Sequence, residues 1–291
     1  MAVVNVIVIH GIGELRKRGQ SYSLPLQQNI RKHFGVNEPH ALAFYEVDWS
    51  DIGDKEQRDL IDHKRVLPDA TVPGADALFP LRHAIGETLD SALNASEQVR
   101  RFLLHGVGDV MVYLTQIGGE QIRQRLIDKI LEVRNEIMQE PYGSDKKYVT
   151  IIAHSLGSVV TYDVCALLGT RFRNEVAGLG LSNMFTMGSP LALFSLLEYG
   201  STREKYAQRG VFLDRPDNSG VWYNFYDQQD PIAFPLNRVY PPLPDVAGRN
   251  YSIQDIRVQT GTFHAHTHYF SNDVVARMIA KRLREDYEHD R

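Results

Sequence analysis

The chain has 291 residues, of which 43% are hydrophobic and 23% charged, a globular composition that excludes wholesale disorder. A formal charge of −4 gives no electrostatic reason to expect nucleic acid as a partner. The single cysteine, Cys165, excludes an internal disulfide framework and any cysteine-rich zinc site.

The elements read in order from the amino terminus. Val3 to Ile9 is rich in β-branched residues and stops at Gly11 and Gly13, the pattern of a buried strand and its exit turn. This opening stretch, MAVVNVIVIHGIG, has neither a basic leader nor a cleavage site, so it reads as a strand and not as a secretory signal. Residues 22–34 have a helical pattern, and a second strand is expected over Leu42 to Val47, ending at Asp48. Residues 51–119 break the rhythm with weak helical patterns, which predicts a helical insertion over the sheet. Between 120 and 139, Ile122, Leu126, Ile130, Val133 and Ile137 fall on one face of an amphipathic helix. Strands follow at Tyr148 to Ala153, Met184 to Met187, Val221 to Tyr226 and Ile253 to Gln259. The proline-dense residues 235–250 predict a long ordered loop, and Asn272 to Glu288 a closing helix. Alternating strands and helices predict one α/β domain over residues 1–291, with an open, mostly parallel sheet and helices on both faces. No apolar run reaches the roughly 18 residues of a spanning helix, so a cytoplasmic protein is expected.

The chemistry concentrates in YVTIIAHSLGSVVTYDV, residues 148–164. An apolar strand runs into Ala153-His154-Ser155-Leu156-Gly157, and an apolar helix starts at once. That is the strand–elbow–helix context of a serine nucleophile, in which a strained turn lifts the hydroxyl above the sheet. Strand and helix approach closely there, so the positions two before and two after the serine must be small. Ala153 and Gly157 meet the demand. The plainer alternative is Ser155 as a helix cap at an ordinary junction. His154 and Cys165 read as packing residues.

With this elbow the chain resembles the α/β-hydrolases, and among them the lipases and esterases. IHGIG is similar to the oxyanion-loop dipeptide of many lipases, and FTMGSPLA to the segment ending the strand after the elbow helix. NFYDQQDPIAF and HAHTHYFSNDVV resemble the acid and histidine segments of lipase-like members, including intracellular phospholipase A1-type proteins, which share the look of SLGSVVTYD.

A serine hydroxyl needs a base to take its proton and an acid to orient that base, and in this fold the chain order is serine, acid, histidine. Asp227 and Asp230 both follow the strand at 221–226, while Glu198 and Asp214 lie in less suitable contexts. The resemblance of DPIAF to the lipase pattern favours Asp230 and leaves Asp227 as a solvated turn residue or loop cap. Of His264, His266 and His268, the resemblance selects His266, three residues before the aromatic pair Tyr269-Phe270, with His268 next in line. It further implies an oxyanion hole from the backbone N–H groups of Leu156 and Ile12. Gly11, Gly13 and Gly157 shape the loop and elbow, and His10 is structural.

These residues imply a serine hydrolase cleaving a small-molecule or lipid carboxylic ester, with no metal or organic cofactor. An acyltransferase or thioesterase would use the same groups, and an inactive binding protein would retain the fold. A dinucleotide site is disfavoured because Arg16 stands where G-x-G-x-x-G needs its third glycine. A metal site on HAHTH lacks a carboxylate-rich partner motif. Phe102 to Ile117 is apolar but interrupted by His105 and Asp109. It is expected either as core or, through Leu103 and Val110, as the wall of an acyl pocket. It carries no strongly basic face, so any membrane contact would be peripheral.

Overall fold

A computed structural model describes residues 3–11, 21–38, 40–52, 110, 112–139, 147–168, 171–197, 220–240, 243–244, 250–260 and 265–290. Strands β1 (Val4–Ile9), β2 (Leu42–Val47), β3 (Lys147–His154), β4 (Leu179–Met187) and β5 (Trp222–Tyr226) form most of one sheet. Two short strands, β6 (Leu243–Pro244) and β7 (Asn250–Tyr251), pair antiparallel within the proline-dense loop. Strand β8 (Gln254–Arg257) completes a six-stranded parallel sheet of order β2-β1-β3-β4-β5-β8. This is an open α/β fold.

Five helices are described in full: α1 (Leu24–Phe34), α2 (Gln116–Met138), α3 (Leu156–Leu168), α4 (Leu191–Leu197) and α5 (Asp273–His289). Parallel strands need both faces covered, and the side chains of β1 divide accordingly. Val4, Val6 and Val8 pack with Leu26 and Ile30 of α1 and with Val275, Ile279 and Leu283 of α5. Ile7 and Ile9 point the other way, onto Ile122, Leu126 and Ile130 of α2 and Val160 of α3. Each fully buried aliphatic side chain of this kind contributes about 1.5–3 kcal/mol. Pro25 in the first turn of α1 and Gly35 just past its end bracket that helix. Thr115 caps α2, its hydroxyl accepting from Gly118 N at 3.0 Å, which starts the helix four residues before the predicted 120. Cys165 is buried on α3, and burial pushes its thiol up to about 12.

Besides the β6–β7 pair in the expected loop and the earlier start of α2, two elements depart from the sequence reading. Strand β4 begins at Leu179, not Met184, and helix α4 was not foreseen. The early part of β4 carries Ser182 and Asn183, poor strand formers by propensity, yet both are buried. The last helix satisfies them. Ser182 Oγ and Asn183 Nδ2 donate to Asp286 Oδ2 at 2.8 and 2.5 Å, while Arg282 Nε donates to Asn183 Oδ1 at 3.0 Å. Arg282 Nη2 also donates to Asp286 Oδ1 at 2.5 Å. Arg282→Met should therefore lower unfolding free energy by about 3–5 kcal/mol, because the buried Asp286 loses its counter-charge. Chemical denaturation checks it, and a change under about 1 kcal/mol would mean that Ser182 and Asn183 suffice.

The expected insertion over 51–119, with Leu103, falls outside the described residues except at its ends. At those ends Ile52, Val112 and Tyr113 are buried, and Val110 packs against the same core. Among the described residues no helix is long and apolar enough to cross a membrane.

Candidate active site

The sheet order reverses between β1 and β3. The chain runs from β1 outward to β2, then returns to the far side of β1, where Ile9 pairs with Ala153. Helices after β1 and β3 leave toward opposite faces, so the carboxyl ends of these two strands border a crevice. In open α/β sheets this is where ligands bind. Ser155 stands there, one residue past β3, with φ of +54°. Among the described residues no other non-glycine has a positive φ, and such a conformation costs roughly 1–2 kcal/mol. Its N–H donates to Met187 O at 2.9 Å, tying the turn to the end of β4.

The exit of β1 presses on this turn. A Cβ on Gly11 would lie 2.3 Å from Ser155 Cβ and 2.6 Å from Leu156 N. One on Gly157 would lie 2.6 Å from His10 O. The two backbones meet with no room for a methyl group on either. Gly11→Ala should thus displace Ser155 and lower unfolding free energy by about 1–3 kcal/mol, the usual cost of overpacking. Chemical denaturation measures it, and an unchanged unfolding free energy would show that the β1 exit can move aside.

His266 and Asp230 complete a line from Ser155. His266 Nε2 is 2.7 Å from Ser155 Oγ, and His266 Nδ1 is 2.8 Å from Asp230 Oδ2. With the carboxylate accepting from Nδ1–H, Nε2 is the lone-pair nitrogen and the serine hydroxyl donates to it. All three residues are buried. Asp230 sits in the turn after β5, its other oxygen accepting from Ile232 N at 3.2 Å. His268 turns away, its Nδ1–H donating to Thr260 O at 2.9 Å. His264 lies outside the described residues.

Asp227 is not solvated; it is 4% exposed and braces two loops. Its carboxylate accepts from Gln229 N at 2.9 Å, Thr260 N at 2.6 Å and Thr260 Oγ1 at 2.8 Å, joining the exits of β5 and β8. Burial raises its pKa, but these hydrogen bonds outweigh burial and hold it below the usual carboxylate value. Within the turn Asp230 N donates to Asp227 O at 3.1 Å, and the Asp230 carboxylate reaches His266 while that of Asp227 reaches Thr260.

Leu156 N–H is the first of α3, a position with no acceptor inside its own helix, beside the Ser155 side chain. Ile12 and Gly13 lie outside the described residues. His10 is buried, stacked on Trp49 with ring centroids 5.3 Å apart, and its carbonyl accepts from Trp49 Nε1 at 3.0 Å. Its Nε2 lies 3.4 Å from Asp48, and that contact holds the Asp48 carboxyl well below its usual value, against the opposing effect of burial.

Sequence reasoning missed two residues that touch this line. Tyr269 OH donates to Asp230 Oδ2 at 3.0 Å and accepts from Asp227 N at 2.8 Å. Burial, and then the Asp230 carboxylate, push its phenol well above the usual value, so it stays a donor. The sequence signal was present, as Tyr269 belongs to the aromatic pair used to choose His266. His154 is the second, and its reading as a mere packing residue is corrected. Its Nε2–H donates to His266 O at 2.6 Å. Only the tertiary fold brings these two histidines together.

The fold and this site define an α/β protein with a buried serine–histidine–aspartate hydrogen-bonded line at a topological switch point. Over a match 139 residues long that covers 43% of the chain, the sequence is 23% identical to a probable mitochondrial phospholipase of Schizosaccharomyces pombe. The chain spans only 18% of that protein's length. No protein-family model matches the chain.

Proposed function

We propose that this chain is a lipase- or esterase-like serine hydrolase of the α/β-hydrolase type, cleaving a carboxylic ester through an acyl-enzyme. The observation that carries this reading is the His266 ring held between Ser155 Oγ at 2.7 Å and Asp230 Oδ2 at 2.8 Å. Both distances lie within the range for direct proton transfer and orientation. The likeness to a probable phospholipase supports an ester, and a lipid ester in particular, as the substrate.

In this mechanism Ser155 Oγ attacks the ester carbonyl carbon while His266 Nε2 takes the hydroxyl proton. Asp230 keeps Nδ1 protonated and stabilises the imidazolium that forms. The backbone N–H groups of Leu156 and Ile12 donate to the oxyanion. Collapse of the tetrahedral intermediate breaks the bond to the alcohol oxygen, which leaves with the proton from Nε2. Water, deprotonated by the same nitrogen, then releases the carboxylic acid and restores Ser155. No metal or organic cofactor enters these steps.

A fluorophosphonate probe tests the reading. The expected result is a single covalent adduct on Ser155, abolished by Ser155→Ala, together with turnover of p-nitrophenyl esters whose rate depends on acyl length. Absence of the adduct and of turnover across the ester panel would overturn it.

A further inference from the structure

We infer that His154 is a positioning residue for the base: as a neutral donor it fixes the backbone of His266, and with it the ring that faces Ser155. This deepens the serine-hydrolase reading above and rests on it.

The geometry starts from the acceptor. A carbonyl oxygen only accepts, so the 2.6 Å contact between His154 Nε2 and His266 O requires the proton on Nε2. In the neutral ring His154 Nδ1 then carries the lone pair. That atom is buried and has no hydrogen-bond partner. Protonating it would place an N–H where nothing described accepts it. Titratable groups flank the ring on several sides. His266 lies with its ring centroid 4.8 Å away and Tyr269 6.0 Å away, His10 acts on it from the end of β1, and Asp230 stands beyond His266. Phe270 closes another side at 4.9 Å. Burial, and next the neighbouring His266, hold the His154 pKa well below the ordinary histidine value.

Neutrality matters for the chemistry. Proton transfer from Ser155 makes His266 cationic, and a second cation within 5 Å would oppose it. A tautomer with one engaged nitrogen and one unpartnered nitrogen gives a rigid donor that does not charge. The element logic is economical too. His154 is the last residue of β3 and the immediate neighbour of Ser155, so one backbone segment positions the nucleophile and grips the base.

The test compares His154→Gln, His154→Asn and His154→Met in the full chain. Glutamine carries an amide N–H near the position of Nε2 and should keep the contact. Asparagine is polar but too short, and methionine fills the space without a donor. We expect kcat and the rate of Ser155 phosphonylation by a fluorophosphonate to fall roughly 10- to 100-fold in the asparagine and methionine variants. KM should stay nearly constant, and glutamine should restore most of the loss. The acid limb of kcat/KM should report one ionisation in the wild type and in the glutamine variant. Equal rates for folded glutamine and asparagine variants would overturn the proposal, as would a two-proton acid limb that becomes single in His154→Gln. A wild-type protein that never labels at Ser155 would instead overturn the hydrolase reading itself, so the two failures are distinguishable. If methionine prevents folding, the glutamine–asparagine pair decides the matter.

Discussion

Ser155→Ala should lower ester turnover by roughly ten-thousand-fold or more, because the attacking oxygen is removed while the remaining site persists. The same position carries a second expectation about stability. Both Ser155→Ala and Ser155→Gly lose the 2.7 Å contact to His266, so their difference isolates the backbone. At φ of +54° a Cβ is strained, and glycine is not. Ser155→Gly should therefore be more stable than Ser155→Ala by about 1 kcal/mol, reversing the usual preference for alanine over glycine. Denaturant melts of the two variants measure this. A glycine variant less stable than the alanine one would mean that the elbow stores no strain. Turnover near wild type in either would move the chemistry to another residue.

Asp230→Asn should lower kcat by roughly ten-thousand-fold, since an amide can present N–H to His266 Nδ1 and reverse its tautomer. Asp227→Asn should spare most of kcat and instead cost about 1–3 kcal/mol of stability, because an amide cannot accept from Gln229 N, Thr260 N and Thr260 Oγ1 together. The pH dependence separates the two further. The Asp227 pKa is depressed in the folded state, so the unfolded chain binds its proton more readily. Its contribution is fully present above the unfolded value of about 4 and is lost as pH falls through the lower folded value. The stability gap between wild type and Asp227→Asn should accordingly narrow below about pH 4. A kcat loss larger for Asp227→Asn than for Asp230→Asn would exchange their roles.

Much of the fold is legible in local pattern. The β-branched run before Gly11, the 3.6-residue spacing from Ile122 to Ile137 and the apolar run at 148–153 each match a described element closely. The start of β4 is not legible, because Ser182 and Asn183 become strand residues only when Arg282 and Asp286, about a hundred positions away, satisfy them. Helix α4 is seven residues long, too short for its periodicity to stand out from the flanking Ser189-Pro190.

The sequence by itself determined the elbow, because the packing of a strand against the helix that follows it is local and demands small residues at fixed offsets from Ser155. It also narrowed the candidate acid to two aspartates and the candidate base to three histidines. Resemblance, not spacing, ranked them. Only the tertiary structure decided what each one touches. Asp227 and Asp230 are three residues apart, and their carboxylates part because a single turn sends one to Thr260 and the other to His266. His154 and Tyr269 gained their partners the same way, across 112 and 39 residues of sequence. Hydrogen bonds at such separations depend on the order of strands in the sheet, and that order leaves no periodic trace in the chain.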